Sequence, residues 1–133
     1  MTSHLAQLKL LISLAQIDGG VGEKERTYIF NIGRANGLAE IVVEPLFEQS
    51  HGMIIPNDLA NAQKFECIFS LVQLMKIDER LYQDEIRYCS KVAARLGYDE
   101  AVMFDLMLHV RSVMEVNELE SLKKLTEKYL SNT

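Results

Sequence analysis

The sequence predicts an all-α fold, an internally duplicated helical bundle of about seven helices with no sheet. Apolar residues recur at spacings of three and four along most of the chain, and no stretch alternates convincingly at period two. Glycines and small polar residues interrupt this pattern at helix-length intervals. The chain also repeats itself at an offset of sixty residues. Leu11/Leu71, Leu14/Leu74, Ile17/Ile77, Asp18/Asp78, Glu25/Glu85, Tyr28/Tyr88, Gly37/Gly97, Glu40/Glu100, Val42/Val102 and Leu46/Leu106 are identical pairs. A register that holds core positions, caps and polar residues together is hard to obtain from generic amphipathic helices. It predicts one domain over residues 1–133, with three-helix halves at about 5–50 and 65–110 and a C-terminal helix at about 118–131.

The first helix follows a Ser3 cap, carries Leu5, Leu8, Leu11, Ile12 and Leu14, and ends before Gly19-Gly20. A second begins near Gly22 or Glu23, with acidic residues in its first turn where the helix dipole favours them, and runs to a Gly37 cap. Leu38–Ser50 is a third helical stretch that Pro45 should kink or split, because proline has no amide proton to donate. After a loop at Met53–Pro56, Asn57 is placed to cap a long fourth helix with Phe65, Ile68, Phe69, Val72 and Met75 inward. A fifth spans about Gln83 to Leu96 and ends on Gly97. Asp99 caps a sixth, with Val102, Met103, Leu106 and Val110 facing the core. Asn117 with Glu120 opens a seventh bearing Leu119, Leu122, Leu125 and Tyr129.

A net charge of −5 argues against nucleic acid as the main partner, since phosphate binding needs a concentrated basic face. No apolar run approaches the roughly 20 residues of a membrane span, and Lys9 with no small-residue cleavage site argues against a signal peptide. The expectation is a cytoplasmic protein without direct membrane insertion. Cys67 and Cys89 lie inside apolar helical patterns, with no CxxC or Cys/His spacing, and read as reduced core residues.

The candidate chemistry sits at the two polar hinges, Gln16–Glu25 and Lys76–Glu85. In each, an Ile-Asp pair is followed by a glutamate seven residues after the aspartate. Asp18 extends the buried stripe of Leu11 and Leu14, and Glu25 precedes Tyr28, Ile29 and Ile32 at helical spacing, so both carboxylates should point inward. Asp78 and Glu85 follow the same logic. An inward carboxylate needs a partner, because a buried unpaired charge costs several kcal/mol. Three partners fit: backbone amides of the turn and helix start, a basic side chain such as Arg26, Arg80 or Lys76, or a hard divalent cation. The EF-hand pattern fails, since Gly20 and Gly22, or Arg80 and Tyr82, occupy its third and fifth positions. His4, His51 and His109 show no ligand spacing, and there is neither a GxSxG elbow nor a glycine-rich phosphate loop. Met103, Met107 and Met114 read as fillers of irregular core gaps, with Met107 and Met114 alternatively lining a groove for a partner helix.

Ala15-Gln16-Ile17-Asp18-Gly19-Gly20-Val21 with Glu25, repeated as Ile77-Asp78 to Glu85 and followed by Ala93-Ala94-Arg95-Leu96-Gly97, resembles the tellurite-resistance TerB-like domain. The resemblance covers roughly Leu8 to Leu108. It implies an all-helical, internally duplicated bundle that works in metal and stress responses through partner proteins. Such domains occur as small cytoplasmic proteins or fused to membrane-linked J-domain co-chaperones. By position it also implies a divalent-metal site at Asp18, Glu25, Asp78 and Glu85. This chain departs from the pattern in its second hinge, where Glu79 replaces a glycine and Arg80 sets a positive charge beside Asp78. The first hinge is therefore the better candidate. The functional expectation is a non-enzymatic interaction and stress-response module that binds other proteins. The alternative is a metal-dependent enzyme using the same carboxylates, which lack an accompanying nucleophile, base or oxyanion group.

Overall fold

A computed structural model describes residues 2–17, 19–56, 58–77, 83–111 and 113–130 of the chain. Seven α-helices are seen among these residues: α1 (Thr2–Ala15), α2 (Glu23–Ala35), α3 (Glu40–Val43), α4 (Asn61–Ile77), α5 (Gln83–Leu96), α6 (Val102–His109) and α7 (Val116–Glu127). A 3-10 helix, Glu44–Glu48, continues α3. There is no strand among the described residues. An isolated bridge between Tyr98 and Leu130, in which the Asp99 amide donates to the Tyr129 carbonyl at 2.7 Å, ties the end of α7 to the start of the α5–α6 turn.

The core forms where α1 and α4 pack on one another, with α2 and α5 against both. Leu8, Leu11, Ile12, Leu14, Ile68, Leu71, Val72 and Leu74 are shut off from solvent. The predicted stripe on α1 is too narrow. Leu10 and Ala15 are buried as well, because α1 is covered by α2, α4, α5 and the 3-10 helix. A helix covered on several sides buries more than one stripe of its surface.

Several helix limits follow from identifiable groups. Helix α1 ends at Ala15, and the Ile17 amide then tightens to an i→i−3 bond on the Leu14 carbonyl before Gly19 turns the chain at φ +107. Pro45 lies in the first turn of the 3-10 helix, where a missing amide proton costs little, and so the third helical stretch splits as expected. Asp99 Oδ1 accepts the Ala101 amide at 2.9 Å, a cap on the turn that opens α6.

Three starts differ from expectation. Helix α1 already runs from Thr2, so Ser3 lies within its first turn and is not its cap. Asn57 lies outside the described residues, and α4 begins at Asn61, with Gln63 Oε1 taking the Ala60 amide at 2.9 Å. Helix α7 begins two residues ahead of the Asn117 position. Glu118 Oε1, not a Glu120 oxygen, takes the orphan amide, that of Glu115, at 3.0 Å. Both glutamates stand three residues after a workable cap position, and the earlier start gains backbone hydrogen bonds by lengthening the helix.

Helices α2 and α5 end in the same way. Gly37 and Gly97 have φ of +81 and +100. Their amides donate to Arg34 and Ala94, and the next amides, Leu38 and Tyr98, reach back five residues to Gly33 and Ala93. This pair of bonds satisfies carbonyls that a helix end leaves open, and the left-handed residue it requires is strained for anything but glycine.

Candidate functional site

Of the four predicted ligand residues, the structure describes Glu25 and Glu85. Asp18 and Asp78 lie outside the described residues. Glu25 sits in the first turn of α2, half-buried, and its Oε1 accepts the Gly22 amide at 2.9 Å. A Cβ at position 22 would stand 3.3 Å from that oxygen, so glycine suits the close approach of backbone to carboxylate. Glu85 occupies the matching turn of α5 and is 4% exposed.

Arg26 and Lys76, two of the three basic residues considered as partners, are engaged elsewhere. The Arg26 guanidinium lies 5.1 Å from the Phe30 ring centre and 4.5 Å from that of Phe47, with Nη2 3.5 Å from Glu44. Lys76 Nζ donates to the carbonyls of Met107 and Val110 at 2.8 and 2.6 Å, closing the end of α6. Arg80 lies outside the described residues. Among the described residues no three His, Cys, Asp or Glu side chains converge to hold an ion. Glu25, with one oxygen given to Gly22, would need Asp18 or another donor beyond these to complete a coordination shell of roughly six oxygens.

The histidines also show no ligand geometry. His51 Nε2 bonds the Leu46 carbonyl at 2.9 Å. Both cysteines are free and buried, and burial pushes each thiol up to about 12. They are unreactive packing residues at neutral pH, as a protonated thiol is a poor nucleophile.

A cleft of about 370 Å³, which periodicity did not reveal, opens between α2, α4 and α7. Its volume falls in the ~300–1,000 Å³ range of small-ligand pockets. Tyr28, Ile32 and Ala35 form one wall, and Phe65 and Phe69 form another, their rings stacked at 5.5 Å with 29° between planes. Polar groups line its floor. Gln7 Nε2 donates to Ser70 Oγ at 3.0 Å, and Ser70 Oγ donates to the Cys67 carbonyl at 3.0 Å. The Tyr28 hydroxyl donates to Gln73 Oε1 at 2.7 Å, while Gln73 Nε2 donates to the Arg111 carbonyl at 2.8 Å. Burial holds the Tyr28 phenol above its ordinary pKa, so it remains a donor across the neutral range. The sequence carried one hint of this cleft, the Phe65/Phe69 pair at i,i+4 beside the polar Ser70 and Gln73 on a helix otherwise apolar at those depths.

Comparison with family models, with curated proteins and with solved structures finds no match for this chain.

Proposed function

We propose that the chain is a non-enzymatic protein-interaction module of the tellurite-resistance TerB type, acting in a cytoplasmic stress response through partner proteins. The observation that carries the interaction reading is an apolar surface that has no packing role. Phe104 and Leu108, one turn apart on α6, are 82% and 75% exposed, and Val113 and Val116 on the following segment are 80% and 74% exposed. Four large apolar side chains left in water within residues 104–116 are the kind of surface that binds other proteins. No helix among the described residues is long and apolar enough to cross a membrane.

Support for an internally duplicated bundle comes from side-chain bonds that recur sixty residues apart. Gln16 Nε2 donates to the Phe47 carbonyl, and Lys76 Nζ donates to that of Met107. Ser13 Oγ donates to the His51 carbonyl, and Gln73 Nε2 to that of Arg111. The donors differ in chemistry while the bonded positions match, as expected when two halves share a backbone plan.

The second reading places a divalent cation at Asp18, Glu25, Asp78 and Glu85, as a regulatory ion or, in the competing enzymatic version, as the centre of a metal-dependent reaction. The burial of Glu85 favours an inward site, and the Gly22 bond to the half-buried Glu25 favours a capping role for that residue. The interaction reading is tested by affinity capture with the wild-type chain and a Phe104→Glu/Leu108→Glu variant as paired baits. The variant should keep its melting midpoint and lose a partner that the wild type retains. Recovery of the same proteins by both baits would overturn the assignment of this surface.

A further inference from the structure

We infer that the cleft between α2, α4 and α7 is a docking groove for a short apolar peptide segment without regular secondary structure, one with apolar side chains at alternate positions. The inference rests on the reading of the chain as an interaction module and names the chemistry of one partner. The argument comes from the opposite half of the molecule, where the corresponding positions already hold such a segment. Residues 51–56 run along α1 and α5 without regular secondary structure. Ser13 holds the His51 carbonyl at 3.1 Å and Arg95 Nη1 holds the Met53 carbonyl at 2.9 Å. Met53 and Ile55 pack on the core, Ile55 beside Leu10 and Cys67, while the intervening Ile54 faces solvent. The Ile54 amide turns back onto the Gly52 carbonyl at 3.0 Å, a tight turn that leaves Met53 and Ile55 inward on either side of an outward Ile54.

The four positions that receive this segment map by sixty residues onto the walls of the open cleft. Ser13 corresponds to Gln73, Leu10 to Ser70, Arg95 to Ala35 and Cys67 to Gln7, and all four of these counterparts line it. The chain begins to fill the second groove and then leaves it. Gln73 holds the Arg111 carbonyl as Ser13 holds that of His51, but Val113, the counterpart of Met53, is 80% exposed, and α7 starts three residues later. The space that Met53 and Ile55 occupy on one side is left as a cleft on the other. Ala35 lacks the guanidinium of Arg95, and Lys123 of α7 lines the cleft with an ammonium able to hold a peptide carbonyl in its place.

The test is fluorescence anisotropy with a labelled peptide copying Ser50–Pro56, the segment seated in the filled groove, and the purified chain in EDTA. Saturable binding below about 1 mM is expected. Replacing Met53 and Ile55 of the peptide by serine should weaken it by about tenfold or more, and replacing Ile54 should leave it nearly unchanged. Ala35→Trp and Ala62→Trp, both at exposed positions on opposite walls, should each abolish binding without lowering the melting midpoint. Absence of binding, binding that survives both tryptophans, or equal binding of the serine-substituted peptide would overturn the groove. Because the peptide is defined and EDTA is present, such a failure leaves the α6 surface and the hinge carboxylates to their own measurements.

Discussion

At the scale of the residue, Glu25 has a definable structural role. Its carboxylate takes an amide that the start of α2 would otherwise leave open, and an acceptor in that position contributes on the order of 1 kcal/mol. Glu25→Ala should lower stability by about that amount. Glu25→Gln, which keeps an acceptor oxygen, should lose less. The metal reading separates from the capping one when the melts are repeated with EDTA and with added calcium, magnesium, zinc or manganese. A cation bound only by the native state raises the midpoint once its concentration exceeds its dissociation constant. A rise in the wild type that Glu25→Gln removes would establish the ion. Midpoints unmoved by every ion would sink the metal site and, with it, the metal-dependent enzyme.

At the scale of the element, α6 is short, and its last carbonyls depend on a side chain from α4. Lys76 supplies two donors there, and hydrogen bonds to a charged group are worth roughly 1.5–3 kcal/mol where the acceptors are withheld from water. Lys76→Met keeps the aliphatic stem and removes the donors, so it should destabilise by about 1–2 kcal/mol. Hydrogen exchange should quicken first at the amides near Val110. Protection that falls evenly over the whole molecule would count against a local clasp. The position of Lys76 in the sequence suits a partner for the hinge carboxylates, but a flexible four-carbon stem reaches in several directions. Here two converging carbonyls of α6 attract it, and no periodicity in the sequence announces where they will be.

At the scale of the whole molecule, burial makes the chain sensitive to alkali. Desolvation pushes the Tyr88 and Tyr98 phenols up to about 12 from an ordinary 10.0, and the Cys67 and Cys89 thiols up to about 12 from 9.0. All four groups have native pKa values raised above their unfolded ones. The stability they lend is fully present below about pH 9 and is lost as pH rises toward 12, because the unfolded chain releases these protons first. The melting midpoint should therefore decline steadily from about pH 9 upward. A flat profile to pH 11 would mean that these side chains are hydrated in the native state.

The sequence by itself determined the helical class, the punctuation by Pro45, Gly37 and Gly97, and the inward placement of Glu85, because these follow from local sterics and from a periodicity that each helix carries in its own residues. Only the tertiary structure decided how much of α1 is buried, what Arg26 and Lys76 hold, and that Val113 turns away from the place where Met53 turns in. Those outcomes depend on which surfaces meet across distant parts of the chain. The cleft is the clearest case. Its walls come from α2, α4 and α7, and the segment after α6 soon enters a new helix where the segment after the 3-10 helix stays irregular through Pro56.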